Sequence, residues 1–498
     1  MDWSRKLLCP SSIAVIGASA DPRKLGGTIF GNLRSARARL YPVNPNTSSV
    51  AGYPCYASVR DVPDEVDLAV VAVPASAAVE VVEQCVAKGV GAVVVVAGGF
   101  GETGEEGKLA ERRLVKAARG RGVRILGPNT VGVYVPANGL DTTFIPRDRW
   151  RRPPPGPIGL ACQSGAVGLD AAEMAQASGV GISAFVALGN KCDLDEQDVV
   201  EAFAKDPATR CSALYLEDFV DGRAFVDTCR RVSPSKPIVV AKGGRGEAGA
   251  RAAALHTGAL ATSDRVVDGA LRQAGVIRAY DVVELVDYAQ ALSFGRPLYK
   301  PRVAVLTVAG GYGVMLVDHL TAADRGIGAS LAVLDESTVA RLRSITVPFA
   351  ALRNPVDLTG SVTIPMLDGA LEALQTDPNV DAIVASILPY PPNLDEGFVD
   401  VIRRWHQQGA KPLITVVGGA TFVARVLPRL WEVGALAYPT PSQAVRALGA
   451  LCQRGKYLRR LAENGAQPAI REDRGLDRGQ GQGSPSAERP EDAALHAA

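Results

Sequence analysis

The chain has 498 residues, 47% hydrophobic and 21% charged, which rules out global disorder and supports roughly two to four packed domains. Lys and Arg number 54 against 52 Asp and Glu, and aromatics make up 5%, so neither nucleic-acid binding nor a base-stacking platform is expected. The eight cysteines form no CxxC pair, which argues against zinc and disulfide frameworks and fits reduced thiols in a cytoplasmic protein.

The amino-terminal MDWSRKLLCPSS holds no apolar run of signal-peptide length, and no later run approaches a membrane span. Short β-branched segments then alternate with longer Ala-rich helical ones. Strands are expected at 13–16, 40–45, 68–73, 92–96 and 124–126. A second set falls at 158–161, 183–187, 213–216 and 238–241, and a third at 303–308, 382–387, 413–417 and 435–437. Continuous apolar strands separated by helices read as parallel sheets covered on both faces, so the expected class is α/β, doubly wound. The Pro- and Arg-rich stretch 146–157 (PRDRWRRPPPGP) reads as a solvated linker without regular structure. GRPLYKPR at 295–302 marks a second boundary. The expected bodies are 1–147, 157–296 and 301–462, followed by a tail at 471–498 whose composition reads as disordered.

In the first body, Gly17-Ala18-Ser19 follows the first strand, and a helix begins near Gly26. A glycine loop at a strand's carboxyl end, beside a helix N-terminus, suits a phosphate. The dinucleotide fingerprint GxGxxG fails here, because Ser19 and Pro22 follow Gly17. The second strand runs into Asn44-Pro45, with no acid for a ribose hydroxyl. Arg23, Lys24, Arg37 and Arg39 lie nearby instead. They suit a nucleotide with an extra phosphate, such as coenzyme A or NADP. A Walker A loop is also missing, since the near-match Gly101 to Lys108 has the wrong spacing. Three later strand ends complete the picture: Val73-Pro74-Ala75, Ala97-Gly98-Gly99-Phe100-Gly101-Glu102 and Gly127-Pro128-Asn129-Thr130. Each alone reads as a turn. Together, at consecutive strand ends, they read as a cleft for one large ligand.

In the second body, Cys162-Gln163-Ser164-Gly165 opens a helix, with Ser164 placed to cap it and the Gly165 amide placed to face an anion. Leu188-Gly189-Asn190-Lys191-Cys192-Asp193 is a polar loop after another strand. Glu217 ends an apolar strand, where a carboxylate is expected in a cleft or hydrogen-bonded. Of the four histidines, His319 and His406 have ordinary structural readings and His496 lies in the tail. His256 follows a glycine-rich segment carrying Lys242, Arg245 and Arg251. An imidazole is a competent nucleophile near neutral pH, and a nearby carboxylate can fix its tautomer.

IAVIGAS, YPVNP, VAVPA, AGGFGE and GPNTVGV, in this order, resemble the CoA-binding domain of the nucleoside-diphosphate-forming acyl-CoA synthetases, relatives of the succinyl-CoA synthetase alpha subunit. QSGAVG, GNKCDLD, YLE, KGGRGEAGARAAA and HTGALA resemble the ligase domain of the same family. The third body, with its AGGYG and NPVDL segments, resembles the flavodoxin-like third domain of archaeal-type alpha chains. The resemblance implies a Rossmann-like CoA-binding domain followed by two flavodoxin-like ligase domains. It implies that His256 carries a phosphoryl group transiently, that Glu217 orients it, and that Ser164 and Gly165 bind phosphate. Coenzyme A would meet Gly17, Ala18, Ser19, Lys24, Asn44, Pro45, Val73, Pro74, Ala97, Gly98 and Asn129, and no metal site is implied in this chain. Leu255, Cys192, Ala261-Thr262 and, in the third body, Val308-Ala309 depart from the pattern.

The implied reaction interconverts acyl-CoA, ADP and phosphate with a carboxylic acid, CoA and ATP. No ATP-grasp segment is apparent, so ADP/ATP and Mg²⁺ are expected on a separate beta chain in a hetero-oligomer. Neither nucleic acid nor membrane is an expected partner. Two rivals remain: a CoA-binding regulatory or scaffold protein without turnover, and an NADP-dependent oxidoreductase.

Overall fold

The computed structural model describes residues 2–119, 122–249, 251, 263–322 and 327–465. Every expected strand forms among them. The first parallel sheet contains Ser12–Ile16 (β1) and Arg39–Val43 (β2), with a small hairpin, Ser49–Val50 (β3) and Tyr53–Pro54 (β4), beside it. Leu68–Val71 (β5), Ala92–Val95 (β6) and Arg124–Leu126 (β7) complete it in the order β2-β1-β5-β6-β7. All residues of β1, β5 and β6 are buried. That is why these strands read as unbroken apolar runs: helices cover both faces. They include Trp3–Leu8 (α1), Leu25–Leu33 (α2), Ala75–Lys88 (α3) and Glu105–Arg119 (α4).

The second sheet contains Val133–Val135 (β8), Leu140–Asp141 (β9), Pro155–Cys162 (β10), Ile182–Ala187 (β11), Cys211–Leu216 (β12), Ile238–Lys242 (β13) and Ile277–Ala279 (β14). Its order is β14-β13-β12-β10-β11-β8-β9, with β8 antiparallel to β11 and β9. Gly165–Ala177 (α5), Glu196–Lys205 (α6) and Gly222–Val232 (α7) are among its helices. The third sheet holds Arg302–Thr307 (β15), Ser330–Leu331 (β16), Val356–Asp357 (β17), Ala382–Ile387 (β18), Leu413–Val417 (β19) and Leu436–Tyr438 (β20). It runs β16-β15-β18-β19-β20, with β17 also on β15.

The stretch 146–157 differs from expectation. β8 and β9 precede it in sequence yet pair in the second sheet, so sheet membership changes between 126 and 133 rather than at 147. The stretch must run back along that sheet to reach β10, and this buries part of it. Trp150 is 3% exposed and packs edge-on to Tyr134, with ring centroids 5.5 Å apart. The Arg152 guanidinium is enclosed rather than solvated, paired with the fully buried Asp141 at 2.9 Å. Pro155 already belongs to β10, whose register with β11 shifts before Gly159. The expected tail at 471–498 lies outside the described residues.

The second and third bodies share one apolar core. The helix Val282–Phe294 lies against the carboxyl-terminal helix Pro441–Glu463. Arg454 of that helix donates to the Pro234 carbonyl at 3.0 Å. A Cβ at Gly275 would sit 2.3 Å from the Tyr457 ring. Asp287 is buried at this junction, accepting from Gln443 Nε2 at 3.1 Å and Arg446 Nη2 at 3.3 Å. Burial nevertheless pushes its carboxyl up from 3.8 to about 6. A carboxyl raised in the folded state binds more protons than in the unfolded state, so its contribution to stability falls as pH rises between those two values. Asp287→Asn is expected to flatten this dependence. The difference in urea stability between wild type and variant should change by on the order of 2 kcal/mol from pH 4 to pH 7. Parallel denaturation curves at all pH values would contradict it.

Candidate active site

In the first sheet the chain leaves β1 toward β2 on one side and later builds β5, β6 and β7 on the other. The crevice therefore opens at the carboxyl ends of β1 and β5, where doubly wound sheets bind ligands. Gly17 has φ +87°, and a Cβ there would meet the Ala72 carbonyl oxygen at 2.6 Å. A Cβ at Gly26 would lie 1.9 Å from the Gly17 carbonyl oxygen, and one at Gly27 1.9 Å from that of Asp21. These glycines let α2 start directly against the loop. Lys24 occupies its N-cap position, and no side chain caps the helix. The Leu25 and Gly26 amides thus remain for an anion, while Gly27 N–H donates to the Lys24 carbonyl at 2.9 Å.

The other expected residues line the same edge. Ala18 is fully buried and presents backbone alone, and its carbonyl accepts from Asn44 Nδ2 at 2.8 Å. Asn44 Oδ1 accepts from the Asn46 amide, so this side chain braces the Gly17–Ser19 loop. Ser19 Oγ accepts from the Asp21 amide at 3.1 Å. Pro45 follows β2, Val73 and Pro74 lead from β5 into α3, and Ala97 and Gly98 follow β6. Asn129 has φ +56° and donates its amide N–H to the Ala97 carbonyl. The expected phosphate cations separate. Arg23 is held by Asp21 at 3.0 Å. Arg37 precedes β2 and Arg39 opens it, so both lie at the amino edge, where Arg39 pairs with Asp64. Among the described residues, Lys24 alone of the four stands at the crevice mouth without such a pairing.

Replacing Gly26 by Ala forces either α2 or the Gly17 loop to move. CoA affinity is expected to fall at least about tenfold, with fold retained, because positioned backbone donors lose their aim. Titration calorimetry with CoA on wild type and Gly26→Ala would check it. Equal affinity would remove the loop from the binding site.

The second sheet repeats this geometry. The chain passes from β10 to β11 on one side and from β12 to β14 on the other. Its crevice lies between the ends of β10 and β12, which carry Gln163-Ser164-Gly165 and Glu217. Ser164 is the N-cap residue of α5, but its hydroxyl makes no capping bond. Gln163 spans the crevice: its Oε1 accepts from the Glu217 amide at 2.8 Å, and its Nε2 donates to Asp218 Oδ1 at 2.8 Å. The Tyr215 hydroxyl lies 3.4 Å from Glu217 Oε1. Lys242, ending β13, donates to the carbonyls of Glu217 and Gly243 at 2.6 Å each, and burial lowers its pKa. His256 lies outside the described residues. The flanks of its segment meet, with Arg245 Nε 3.4 Å from Asp264 Oδ2.

The two crevices adjoin. The Gly127–Thr130 loop of the first body inserts between α5 and the 188–194 loop of the second. A Cβ at Gly165 would strike Val131 Cγ2 at 2.1 Å, and one at Gly189 the Pro128 carbonyl at 2.3 Å. Main-chain bonds run from Asn190 to Pro128, Cys192 to Gly127 and Leu194 to Ile125. Asn190 Nδ2 donates to Glu102 Oε2 at 2.5 Å and Glu111 Oε1 at 2.7 Å. Gln163, Asp218 and Asn190 are thus structural members of the site that sequence reasoning left without a role. The rule that flagged Glu217, a carboxylate closing an apolar strand, applied equally to Asp218. Among the described residues no cluster could hold a metal ion, and no helix is long and apolar enough to cross a membrane.

Family models match three segments: a CoA binding domain at 11–136, a succinyl-CoA ligase-like flavodoxin domain at 155–292 and a ligase-CoA domain at 303–462. The alpha subunit of ADP-forming acetate–CoA ligase I from Pyrococcus furiosus is 40% identical over 91% of this chain and 97% of its own length. The longer ADP-forming acetate–CoA ligase I from Archaeoglobus fulgidus is 36% identical over 91% of this chain, which spans 63% of it. The solved ADP- and phosphate-bound acetyl-coenzyme A synthetase 1 of Candidatus Korarchaeum cryptofilum superposes with a TM-score of 0.83 at 36% identity, covering 92% of this chain and 98% of that one. Sequence, crevices and superposition agree, and the chain belongs to the ADP-forming acyl-CoA ligase family, whose separate alpha subunits it matches over nearly their whole length.

Proposed function

We propose that the chain works as the alpha component of an ADP-forming acyl-CoA synthetase, acyl-CoA + ADP + phosphate ⇌ carboxylic acid + CoA + ATP. The observation that carries this is the abutment of two crevices, one suited to a nucleotide's phosphates and one carrying Glu217 and an uncapped helix start. The first body holds acyl-CoA, with the α2 amides and Lys24 on its phosphates. Inorganic phosphate sits at the start of α5, near Ser164 and Gly165. A phosphate oxygen attacks the thioester carbonyl, the C–S bond breaks, and the thiolate leaves as CoA. His256 then attacks phosphorus of the acyl phosphate, releasing the carboxylate and keeping the phosphoryl group on its ring. Glu217 accepts a hydrogen bond from the imidazole and offsets its positive charge. The phosphohistidine finally passes its group to ADP, and a covalent carrier lets two distant substrates react without meeting.

ADP and its Mg²⁺ belong on an ATP-grasp beta chain in a hetero-oligomer, a reading supported by relatives that occur both as alpha subunits and as longer chains. The eight unpaired thiols fit a cytoplasmic setting. Intact-protein mass spectrometry after incubation with acyl-CoA and phosphate tests the reading. An acid-labile phosphate adduct supports it. Acyl-CoA bound without any adduct, with and without an ATP-grasp chain, would favour a non-catalytic CoA binder instead.

A further inference from the structure

Asn190 and Lys191 are consecutive residues whose side chains point into different bodies. Asn190 Nδ2 reaches Glu102 and Glu111, and its Oδ1 accepts from Asn129 Nδ2 at 3.2 Å. Glu102 Oε1 in turn accepts the Gly99 amide at 2.5 Å, and Glu111 Oε1 the Gly101 amide at 3.0 Å. One amide therefore ties together two of the loops that line the first crevice. Lys191 turns the other way, with φ +57° and a side chain 2% exposed. Its Nζ donates to Glu196 Oε2 at 3.0 Å, the Asp218 carbonyl at 3.0 Å and Asp218 Oδ1 at 2.5 Å. All three ammonium hydrogens are used. Asp218 Oδ1 also accepts Gln163 Nε2, whose partner oxygen holds the Glu217 amide. Glu196, fully buried, completes the frame by accepting the Val220 amide at 2.9 Å.

A buried lysine is costly, and left-handed backbone at a non-glycine residue adds strain. Simple packing of two domains needs neither. We propose that Asn190 and Lys191 are positioning residues that set the distance between the thioester held by the first body and the Glu217 carboxylate of the second. The inference rests on the synthetase reading and adds the device that registers its two half-sites. Asn190 holds the loops on which the acyl-CoA lies, and Lys191 holds the residue next to Glu217. A rigid two-residue link, with main-chain bonds from Asn190 to Pro128 and Cys192 to Gly127 on either side, leaves no slack between them.

The test is pre-steady-state formation of the phosphoenzyme from acyl-CoA and phosphate by the full chain, in wild type, Asn190→Ala and Asn190→Asp. Asn190→Ala removes the tie while keeping the buried lysine network, so the fold is retained. Asn190→Asp sets a third carboxylate against Glu102 and Glu111 and forces the loops apart. Misplacement of reacting groups by about 1 Å costs up to about a hundredfold in rate. The saturated rate is therefore expected to fall about tenfold in Asn190→Ala and further in Asn190→Asp. The half-saturating acyl-CoA concentration should move less than about threefold, because the phosphate-binding loop of α2 is untouched. A change in half-saturation alone would mean that Asn190 merely shapes the CoA site, and an unchanged saturated rate would mean that it sets no distance. Either result overturns the inference and leaves the synthetase reading standing. A wild type that forms no phosphoenzyme, with or without an ATP-grasp chain, overturns both.

Discussion

Alanine at His256 is expected to abolish the phosphoenzyme and to lower conversion of acyl-CoA and ADP to ATP by at least about 10³-fold. The hydroxyls and the amine that the described residues bring to the second crevice, on Ser164, Tyr215 and Lys242, are weaker phosphoryl acceptors than an imidazole near neutral pH. The neighbouring thiol of Cys162 is fully buried under Gln163 and its pKa is pushed up to about 12, so it cannot substitute. Glu217→Gln keeps the shape of the acid but removes the charge that opposes the imidazolium, and a loss of about 10²-fold is expected. Gly243 faces Glu217, and a Cβ there would lie 3.0 Å from the Tyr215 hydroxyl and 3.5 Å from Glu217 Cγ. The two variants should also differ in kind. In His256→Ala the attack of phosphate on the thioester remains available, so hydroxylamine should still trap acyl phosphate as a hydroxamate. In Glu217→Gln a phosphoenzyme forms slowly. An undiminished adduct in His256→Ala would place the carrier elsewhere.

Much of this site was legible in sequence because parallel sheets announce themselves. β1, β5, β6, β18 and β19 are wholly buried and wholly apolar or nearly so. Their carboxyl ends then point to the loops that matter. The two-residue strands β9, β16 and β17 are too short to carry such a pattern and are not legible in the sequence. Nearness in sequence also misled where direction along a strand decides. Arg37 and Arg39 adjoin the nucleotide loop in sequence distance, but a strand separates them from the carboxyl edge. The loops of Asn190 and Asn129 each carry a motif that sequence alone reveals. Their contact, across 61 residues, exists only once the first body's fourth loop inserts into the second.

Composition misled most at Arg152, and the consequence is large. Asp141→Ala is expected to destabilise the segment between the two sheets by about 3–5 kcal/mol. Asp141 is fully buried, and its Oδ2 takes Arg152 Nε at 3.0 Å while its Oδ1 takes the Thr143 hydroxyl at 2.7 Å. Arg152 spends its remaining donors on the carbonyls of Ile145 at 2.7 Å, Trp150 at 2.8 Å and Pro146 at 3.2 Å, and its guanidinium lies 4.7 Å from the Trp150 ring. Removing the carboxylate leaves that cation enclosed and without its anion, which costs far more than the net worth of the pair. The double variant Asp141→Leu with Arg152→Met removes both charges and should recover much of the loss. The same segment supports α2, since Asn32 Nδ2 donates to the carbonyls of Thr143 and Ile145 at 2.8 and 3.0 Å. Loosening it therefore reaches α2, the helix proposed to hold the phosphates of acyl-CoA. Amide hydrogen exchange over 133–152 reads the effect locally, where a single unfolding transition is not assured for three packed bodies. Exchange should accelerate by at least about a hundredfold in Asp141→Ala and by much less in the double variant. Equal exchange in wild type and Asp141→Ala would mean that the pair, though buried, does not hold the segment down.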